Sequence, residues 1–201
     1  MNKQALEQIA HAMVTNGKGI LAADESTGTI KKRFDSIDVT STEDTRRDYR
    51  EMLFRTDEAM REHISGVILF DETIRQKAAD GTPLTQLITD AGSLPGIKVD
   101  AGAKAMAGHT GEMVTEGLDG LRERLSEYYA LGAKFAKWRA VINIADGLPS
   151  TACLTANTHA LARYAALCQE AEIVPIVEPE VIMDGAHTVE RCYEVTSAAL
   201  T

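Results

Sequence analysis

The sequence has few cysteines, and none of them belongs to a paired motif. Cys153, Cys168 and Cys192 are widely spaced along the 201 residues, which predicts reduced thiols rather than a disulfide framework. The five histidines show neither the i,i+4 pairing nor the short-loop pairing typical of a zinc site. We therefore expect no metal site in this chain.

Long apolar runs, basic runs and nucleotide-binding motifs are also missing. No apolar stretch approaches the length of a membrane span, and residues 1–4 lead into an amphipathic pattern rather than a signal peptide. The net charge is -9 and no basic run of five or more residues occurs, so nucleic acid and anionic membranes are poor candidate partners. Gly17-Lys18-Gly19 lacks the upstream glycine and the downstream Ser or Thr of a P-loop.

Short apolar runs alternate with helical patterns along the chain, and charged and hydrophobic residues occur in proportions ordinary for a globular protein. The alternation predicts a parallel α/β fold with right-handed crossovers. No linker or composition shift divides residues 1–201, so we expect a single domain. The predicted strands are 19–24, 65–71, 96–100, 133–139 and 173–180. The main predicted helices are 4–14, one from 26, one from 42 or 44 to 61, 117–131, 149–170 and one from about 187, with a long loop at 102–111.

The strand predicted at 133–139 carries two cations near its end. Successive side chains of a strand point to opposite faces, so Phe135, Lys137 and Arg139 share one face. A parallel strand that is buried on both sides should instead be almost continuously apolar. Burying an unpaired charge costs several kcal/mol, so anions must meet these cations, either from other side chains or from a ligand.

Each of the five predicted strands has a charged residue at its carboxyl end. In a parallel fold these ends lie on one face, and in a (β/α)8 barrel that face carries the active site. Strand ends also border solvent, so a structural origin for some of these charges is the alternative. We predict that Asp24, Lys98, Lys137, Arg139 and Glu178 converge there. The full set of charged ends is Asp24, Asp71, Lys98, Asp100, Lys137, Arg139, Glu178 and Glu180.

These residue types narrow the chemistry. The three cations of this set, Lys98, Lys137 and Arg139, suit a phosphorylated or otherwise anionic substrate. A lysine near other cations can attack a carbonyl to form a Schiff base, and carboxylates beside lysines suit proton transfer at carbon. The residues thus favour carbon–carbon or isomerase chemistry on a sugar phosphate, and they leave open which lysine would be the nucleophile. The hydroxyls at 26–29 open a helix and could bind an anion, or could only cap that helix.

Six segments, which extend over essentially the whole chain, are GKGILAADESTG at 17–28, GVILF at 66–70, GIKVD at 96–100, GLDGL at 117–121, FAKWR at 135–139 and IVPIVEPE at 173–180. In sequence and in order they resemble class I fructose-bisphosphate aldolase. The resemblance implies a (β/α)8 TIM barrel and reversible cleavage of fructose 1,6-bisphosphate to glycerone phosphate and glyceraldehyde 3-phosphate through a Schiff base, in glycolysis and gluconeogenesis. It also implies no cofactor, no metal, a cytoplasmic location and a homo-oligomer, which is a tetramer in the family.

The same resemblance implies residue roles. Asp24 and Lys137 match the aspartate and lysine that support cleavage and proton transfer, and Glu178 matches the general acid/base that acts as the imine forms and hydrolyses. Thr29 stands where relatives often carry serine, and it keeps the hydroxyl. The expected substrate-binding residues are Ser26, Thr29, Arg33, Arg46, Lys98, Arg139 and Glu180.

The family's Schiff-base lysine lies on a later strand, in a Leu-Leu-Lys-Pro-like segment that residues 1–201 do not contain. We therefore expect the chain to correspond to about the first five of the eight β/α units, and to lack aldolase turnover by itself. Uncovered strand edges should make it self-associate. A catalytically inactive fragment that only binds ligand or self-associates is the alternative to an active aldolase, and a transaldolase-like or phosphate-sugar isomerase barrel is a third possibility.

Overall fold

The computed structural model describes residues 2–201 and contains one parallel sheet with helices between its strands. The strands are β1 (Gly19–Ala23), β2 (Ile64–Leu69), β3 (Leu94–Lys98), β4 (Ala103–Ala105), β5 (Met113–Thr115), β6 (Phe135–Ile142) and β7 (Val174–Val181). The helices are α1 (Lys3–Met13), α2 (Thr27–Asp35), α3 (Glu43–Phe54), α4 (Asp57–His63), α5 (Asp71–Arg75), α6 (Leu84–Asp90), α7 (Leu121–Ala130), α8 (Thr151–Glu170) and α9 (Val189–Leu200). No helix within 2–201 is long and apolar enough to cross a membrane.

The sheet has the strand order β1-β2-β3-β6-β7, and every neighbouring pair is parallel. The predicted parallel α/β fold is therefore confirmed. The register places Lys98 opposite Lys137, and Arg139 opposite Glu178. Because all five strands run the same way, their carboxyl ends lie along one edge, where the charged side chains are concentrated.

The two faces of the sheet bury different apolar groups. In β6, Ala136 and Trp138 belong to the large core that the helices cover, whereas Phe135 packs with Met13 and Ile68 on the inner face. Helix α1 contacts β2 and β7, and its residue Met13 lies in this inner cluster. Apolar side chains thus fill the amino-terminal half of the inner face, and Lys137 and Arg139 follow Phe135 at alternate positions toward the carboxyl ends.

Two predicted elements are wrong in detail. The helix predicted from 42 or 44 to 61 is two helices, α3 and α4, because the chain turns at Arg55 and Thr56, where the Thr56 N–H bonds to the Leu53 carbonyl. The turn contains neither Gly nor Pro, so residues 55–56 carry no helix stop signal. The loop predicted at 102–111 begins an antiparallel hairpin of β4 and β5, with Ala103 opposite Thr115.

Strand β7 contains Pro175 and Pro179, which would weaken a central strand because proline has no N–H to donate to a ladder. Within residues 2–201, β7 pairs only with β6 and is an edge of the sheet. At that position the two prolines are tolerated. Strand β6 also extends three residues beyond the predicted end, to Ile142.

Phe135 fills the inner face so closely that its neighbours must be glycines. A Cβ on Gly96 would lie 2.3 Å from the Phe135 ring, and one on Gly66 would lie 2.8 Å from it. Gly96→Ala should therefore lower the free energy of unfolding by about 1–3 kcal/mol through overpacking, measured by urea denaturation.

Gly19→Ala in β1 is the matched control, because a Cβ there meets nothing within 4 Å. It should leave the stability unchanged or raise it slightly. Equal losses for the two variants would show that the contact with Phe135 is not what limits the side chain at position 96.

Candidate active site

Lys137 lies between two carboxylates from different strands. Its Nζ is 3.2 Å from Asp24 Oδ2, at the end of β1, and 3.6 Å from Glu178 Oε2 in β7. Lys137 and Asp24 are largely buried, and Glu178 is partly exposed. The two anions offset the cost of burying the ammonium group. Asp24 and Glu178 thus supply the anions that the sequence predicts for Lys137 in the strand at 133–139.

The contact between Lys137 and Asp24 also requires the sheet to be curved. Strands β1 and β6 are three positions apart in the sheet order, which in a flat sheet is about 14 Å. A 3.2 Å contact between their side chains is possible only if the sheet folds round toward its inner face. The strand ends therefore enclose the charged side chains rather than lying in a flat row.

Asp100 contacts two further cationic residues of the candidate site, Lys98 and Arg139. It is 3% exposed at its side chain, and its Oδ1 accepts hydrogen bonds from Lys98 Nζ at 2.6 Å and from the Gly102 N–H at 3.0 Å. Its Oδ2 accepts from the Arg139 N–H at 3.3 Å. The Arg139 guanidinium donates to Glu180. Asp100 thus fixes Lys98 and the backbone of Arg139 on adjacent strands.

Ser26 and Thr29 form the start of α2, directly after β1. Ser26 is the N-cap and accepts a hydrogen bond from the Thr29 N–H at 3.3 Å, and the two hydroxyl oxygens are 3.0 Å apart. The capping role of Ser26 is therefore present. Contact of these hydroxyls with a phosphate stays a prediction.

Arg33 and Arg46 belong to a second group of charges beside the site. This group consists of Arg33, Arg46, Arg50, Glu25 and Glu72. Arg33 donates to Glu25, while Arg46 makes two bonds to Glu72, at 2.8 and 2.5 Å, and one to Ser41 at 3.3 Å. Arg46 is buried, so it does not belong to the solvated face of its helix. The bonds found for it within residues 2–201 go to this group and not to Asp24, Lys137 or Glu178.

Sequence reasoning missed Arg50, which is completely buried in the same group. Met52 on the same helix is apolar, yet it is 59% exposed. The buried face of α3 is instead Arg46, Arg50 and Phe54. The available signal was the i,i+4 spacing of these residues, which puts two arginines in line with a phenylalanine.

Asp71 does not belong to the site, which corrects the inference from the charged strand ends. It is the first residue of α5 and accepts a hydrogen bond from the Tyr128 hydroxyl at 2.8 Å and from Arg75. Both partners lie on helices, so the carboxylate faces the outer layer. The charged ends of the other four strands carry the candidate site.

Burial and pairing separate the two glutamates of β7. Burial raises the pKa of Glu178, Lys137 opposes that rise and Glu180 adds to it. The hydrogen bond from Arg139 lowers the pKa of Glu180. Two carboxyls with pKa values displaced in opposite directions are typical of acid/base sites. Within residues 2–201, no group of three or more His, Cys, Asp and Glu side chains is placed to hold a metal ion.

A curved parallel sheet that holds a lysine between two carboxylates, level with the carboxyl ends of β1 and β3, is the arrangement expected in a β/α-barrel protein. The family model for class I fructose-bisphosphate aldolase matches residues 5–201. The chain belongs to that family, which confirms the resemblance found in the sequence.

Similar proteins agree in sequence and in fold. The chain is 62% identical over 200 residues to a protein of Xanthomonas campestris pv. campestris named "Probable fructose-bisphosphate aldolase class 1", covering 100% of the chain and 60% of the relative. It is 54% identical to the cytoplasmic isozyme of fructose-bisphosphate aldolase from Spinacia oleracea, covering 98% and 56%. A solved structure of fructose-bisphosphate aldolase from Plasmodium falciparum, in complex with TRAP and a small-molecule inhibitor, matches with TM-score 0.93 and 46% identity over 98% of the chain and 57% of that protein.

The chain thus spans about 60% of the length of the Xanthomonas relative and less of the other two. Its five parallel strands match part of the TIM-barrel fold of the Plasmodium aldolase structure, so the predicted fold class is confirmed.

The carboxyls of Glu178 and Glu180 should titrate on opposite sides of an ordinary glutamate. Glu178 should keep its proton to higher pH because burial disfavours its charged form, and Glu180 should lose its proton at lower pH because Arg139 stabilises its charge. Carbon-13 NMR of glutamate-labelled protein measures both, with Glu178→Gln and Glu180→Gln assigning the two resonances.

The signs for stability follow from these directions. The Glu178 contribution is present below its unfolded pKa and is lost as pH rises through its folded pKa, whereas that of Glu180 is present above its unfolded pKa and is lost as pH falls through its folded pKa. A Glu178 resonance titrating at or below that of Glu180 would contradict the assignment.

Proposed function

We propose that the protein of which this chain is a part cleaves fructose 1,6-bisphosphate reversibly to glycerone phosphate and glyceraldehyde 3-phosphate through a Schiff base. The observation that carries the proposal is Lys137 held at 3.2 Å from Asp24 and 3.6 Å from Glu178, in a chain of the class I aldolase family. A cytoplasmic location and a homo-oligomeric state are part of the same proposal, and the name of the spinach relative is consistent with the location.

Glu178 is the proposed general acid/base. Burial raises its pKa, which increases the fraction that carries a proton and can deliver it to a leaving hydroxyl. Lys137 and Asp24 are proposed to stabilise charge at the reacting carbon and oxygen atoms during cleavage. Lys137 forms ion pairs with both carboxylates, so the role proposed for it is electrostatic and not that of the nucleophile.

The remaining predicted residues are proposed to hold the anionic substrate. Ser26 and Thr29 lie at the start of α2, where hydroxyls and free backbone N–H groups suit one phosphate. Arg33, in the last turn of α2, extends its guanidinium back to Glu25 beside them. Lys98 and Arg139 lie on adjacent strands and would contact other substrate oxygens. Glu180 orients Arg139. Arg46 is proposed to act more remotely, through Glu72.

Removing either the proposed acid/base, Glu178, or the proposed charge-stabilising cation, Lys137, should reduce turnover. In a fusion where the chain is continued by the C-terminal part of the Xanthomonas campestris relative, Lys137→Ala and Glu178→Ala should each lower kcat by about 10²–10⁴-fold. Lys137→Arg should not restore it, because a planar fork cannot replace a compact ammonium donor between Asp24 and Glu178. A coupled assay of triose phosphate formation measures the rates.

Arg47→Ala is the control, since Arg47 is bonded to Asp44 and Asp48 on α3, outside the site. It should leave kcat unchanged. Near-normal turnover of Glu178→Ala would remove Glu178 from the catalytic role, and absence of turnover in the unsubstituted, folded fusion would count against the proposed reaction.

Lys137 should not become covalently attached to the substrate. When the 201-residue chain is incubated with fructose 1,6-bisphosphate and sodium borohydride, we expect no reduced adduct on Lys137, because its Nζ is paired with Asp24 and Glu178. Peptide mass spectrometry locates any adduct. A stoichiometric adduct on Lys137 would make it the nucleophile and overturn the role proposed for it.

A further inference from the structure

Arg50 is a buried cation without full hydrogen bonding. It is 0% exposed, and its Nη2 donates to the backbone carbonyl of Glu25 at 2.7 Å. Its Nε and Nη1 have no hydrogen-bond partner within residues 2–201. Burial lowers the pKa of Arg50, against the pull of Glu25 and Glu72. Such a group is unfavourable for stability alone, since each buried unsatisfied donor costs free energy.

Two cations share the carboxylate of Glu25. Arg33 donates to its Oε1, and Arg50 Nη2 lies 3.8 Å from its Oε2. The Arg33 side chain is 59% exposed, whereas that of Glu25 is 8% exposed. Arg33 can therefore move toward solvent, but Glu25 and Arg50 cannot.

The other acid of the group already has its own partner. Glu72 accepts two hydrogen bonds from Arg46. Arg50 Nη1 lies 3.8 Å from Glu72 Oε1, which is too far for a hydrogen bond. The group holds three arginines and two glutamates, so it carries one positive charge in excess. If Arg33 turned away, Glu25 would keep Arg50 and Glu72 would keep Arg46.

We propose that Arg50 is a positioning residue that retains Glu25 when Arg33 leaves it to bind the phosphate of the substrate. The inference rests on the proposed function, which assigns Arg33 to the phosphate. A phosphate dianion beside Ser26 competes with Glu25 for Arg33. Without Arg50, that exchange would leave the largely buried Glu25 unpaired and close to the phosphate, which is unfavourable on both counts.

Arg50 also fixes the backbone at this point. The carbonyl that it binds belongs to the residue between Asp24 and Ser26. One guanidinium thus holds the chain between the carboxylate that pairs with Lys137 and the hydroxyl that caps α2. Positions of both side chains depend on that peptide, because they are its immediate neighbours.

The test is a double-mutant cycle on Arg50 and Glu25 in the 201-residue chain. Equilibrium dialysis with radiolabelled fructose 1,6-bisphosphate measures the dissociation constant and requires no turnover. Arg50→Met should weaken binding by about tenfold or more, the loss expected when a charge is left unpaired. Glu25→Gln should bind at least as tightly as the parent chain, because Arg33 no longer has a competitor. Arg50→Met with Glu25→Gln should recover most of the lost affinity.

Arg47→Met is the matched control, with the same substitution on the same helix but outside the group. It should not change the dissociation constant. Near-ultraviolet circular dichroism establishes that each variant is folded. An unfolded Arg50→Met would leave the decision to Glu25→Gln, whose prediction needs no change at Arg50.

Three results would overturn the inference: unchanged binding by folded Arg50→Met, a double variant no better than Arg50→Met, or weaker binding by Glu25→Gln. A merely structural Arg50 would give the second result, because removing the charge of Glu25 would not repair a disturbed fold. Failure of the parent chain to bind the bisphosphate would count against the proposed phosphate site itself, and against the inference with it.

Discussion

The ion pairs of Lys137 with Asp24 and Glu178 govern both the shape of the sheet and the placement of its charged groups. A cation on the inner face of a parallel sheet needs anions, and β6 itself offers none beside it. The anions come from β1 and β7, which are the two edges of the sheet. Only a curved sheet brings both to one ammonium group. Electrostatic pairing at the strand ends and curvature of the sheet therefore accompany each other.

Packing at the opposite end of the sheet leads to the same shape. Phe135 occupies the inner face where Gly66 and Gly96 leave room for its ring. Two positions further along β6, the inner face changes from apolar to charged at Lys137. Alternate residues of β6 thus serve two purposes. Phe135 packs in the apolar inner cluster, and Lys137 and Arg139 carry the charges of the candidate site. A rigid base below the charged groups helps hold them in position without loops.

The fold class and most of the charged site could be predicted from the sequence, because strand periodicity and chain order determine which ends of the strands meet. Asp24, Lys98, Lys137, Arg139 and Glu178 lie where alternation and parallel order placed them. Predictions failed where a local pattern had two structural solutions. The apolar stripe of one predicted helix continued across a turn into a second helix, and the hairpin of β4 and β5 resembled a glycine-rich loop.

The order of the five parallel strands, the face on which Lys137 lies and the family of the chain can be inferred from the sequence alone. These properties depend on local periodicity and on the identity of neighbouring residues. The pairing of the charges depends instead on the three-dimensional structure. Asp71 accepts a hydrogen bond from Tyr128 of α7 instead of facing the candidate site. Arg50 is buried and donates to the Glu25 carbonyl. A charged residue has the same appearance in a sequence whether it faces water, a substrate or another buried charge. The difference arises from the distances between segments that are far apart in the chain.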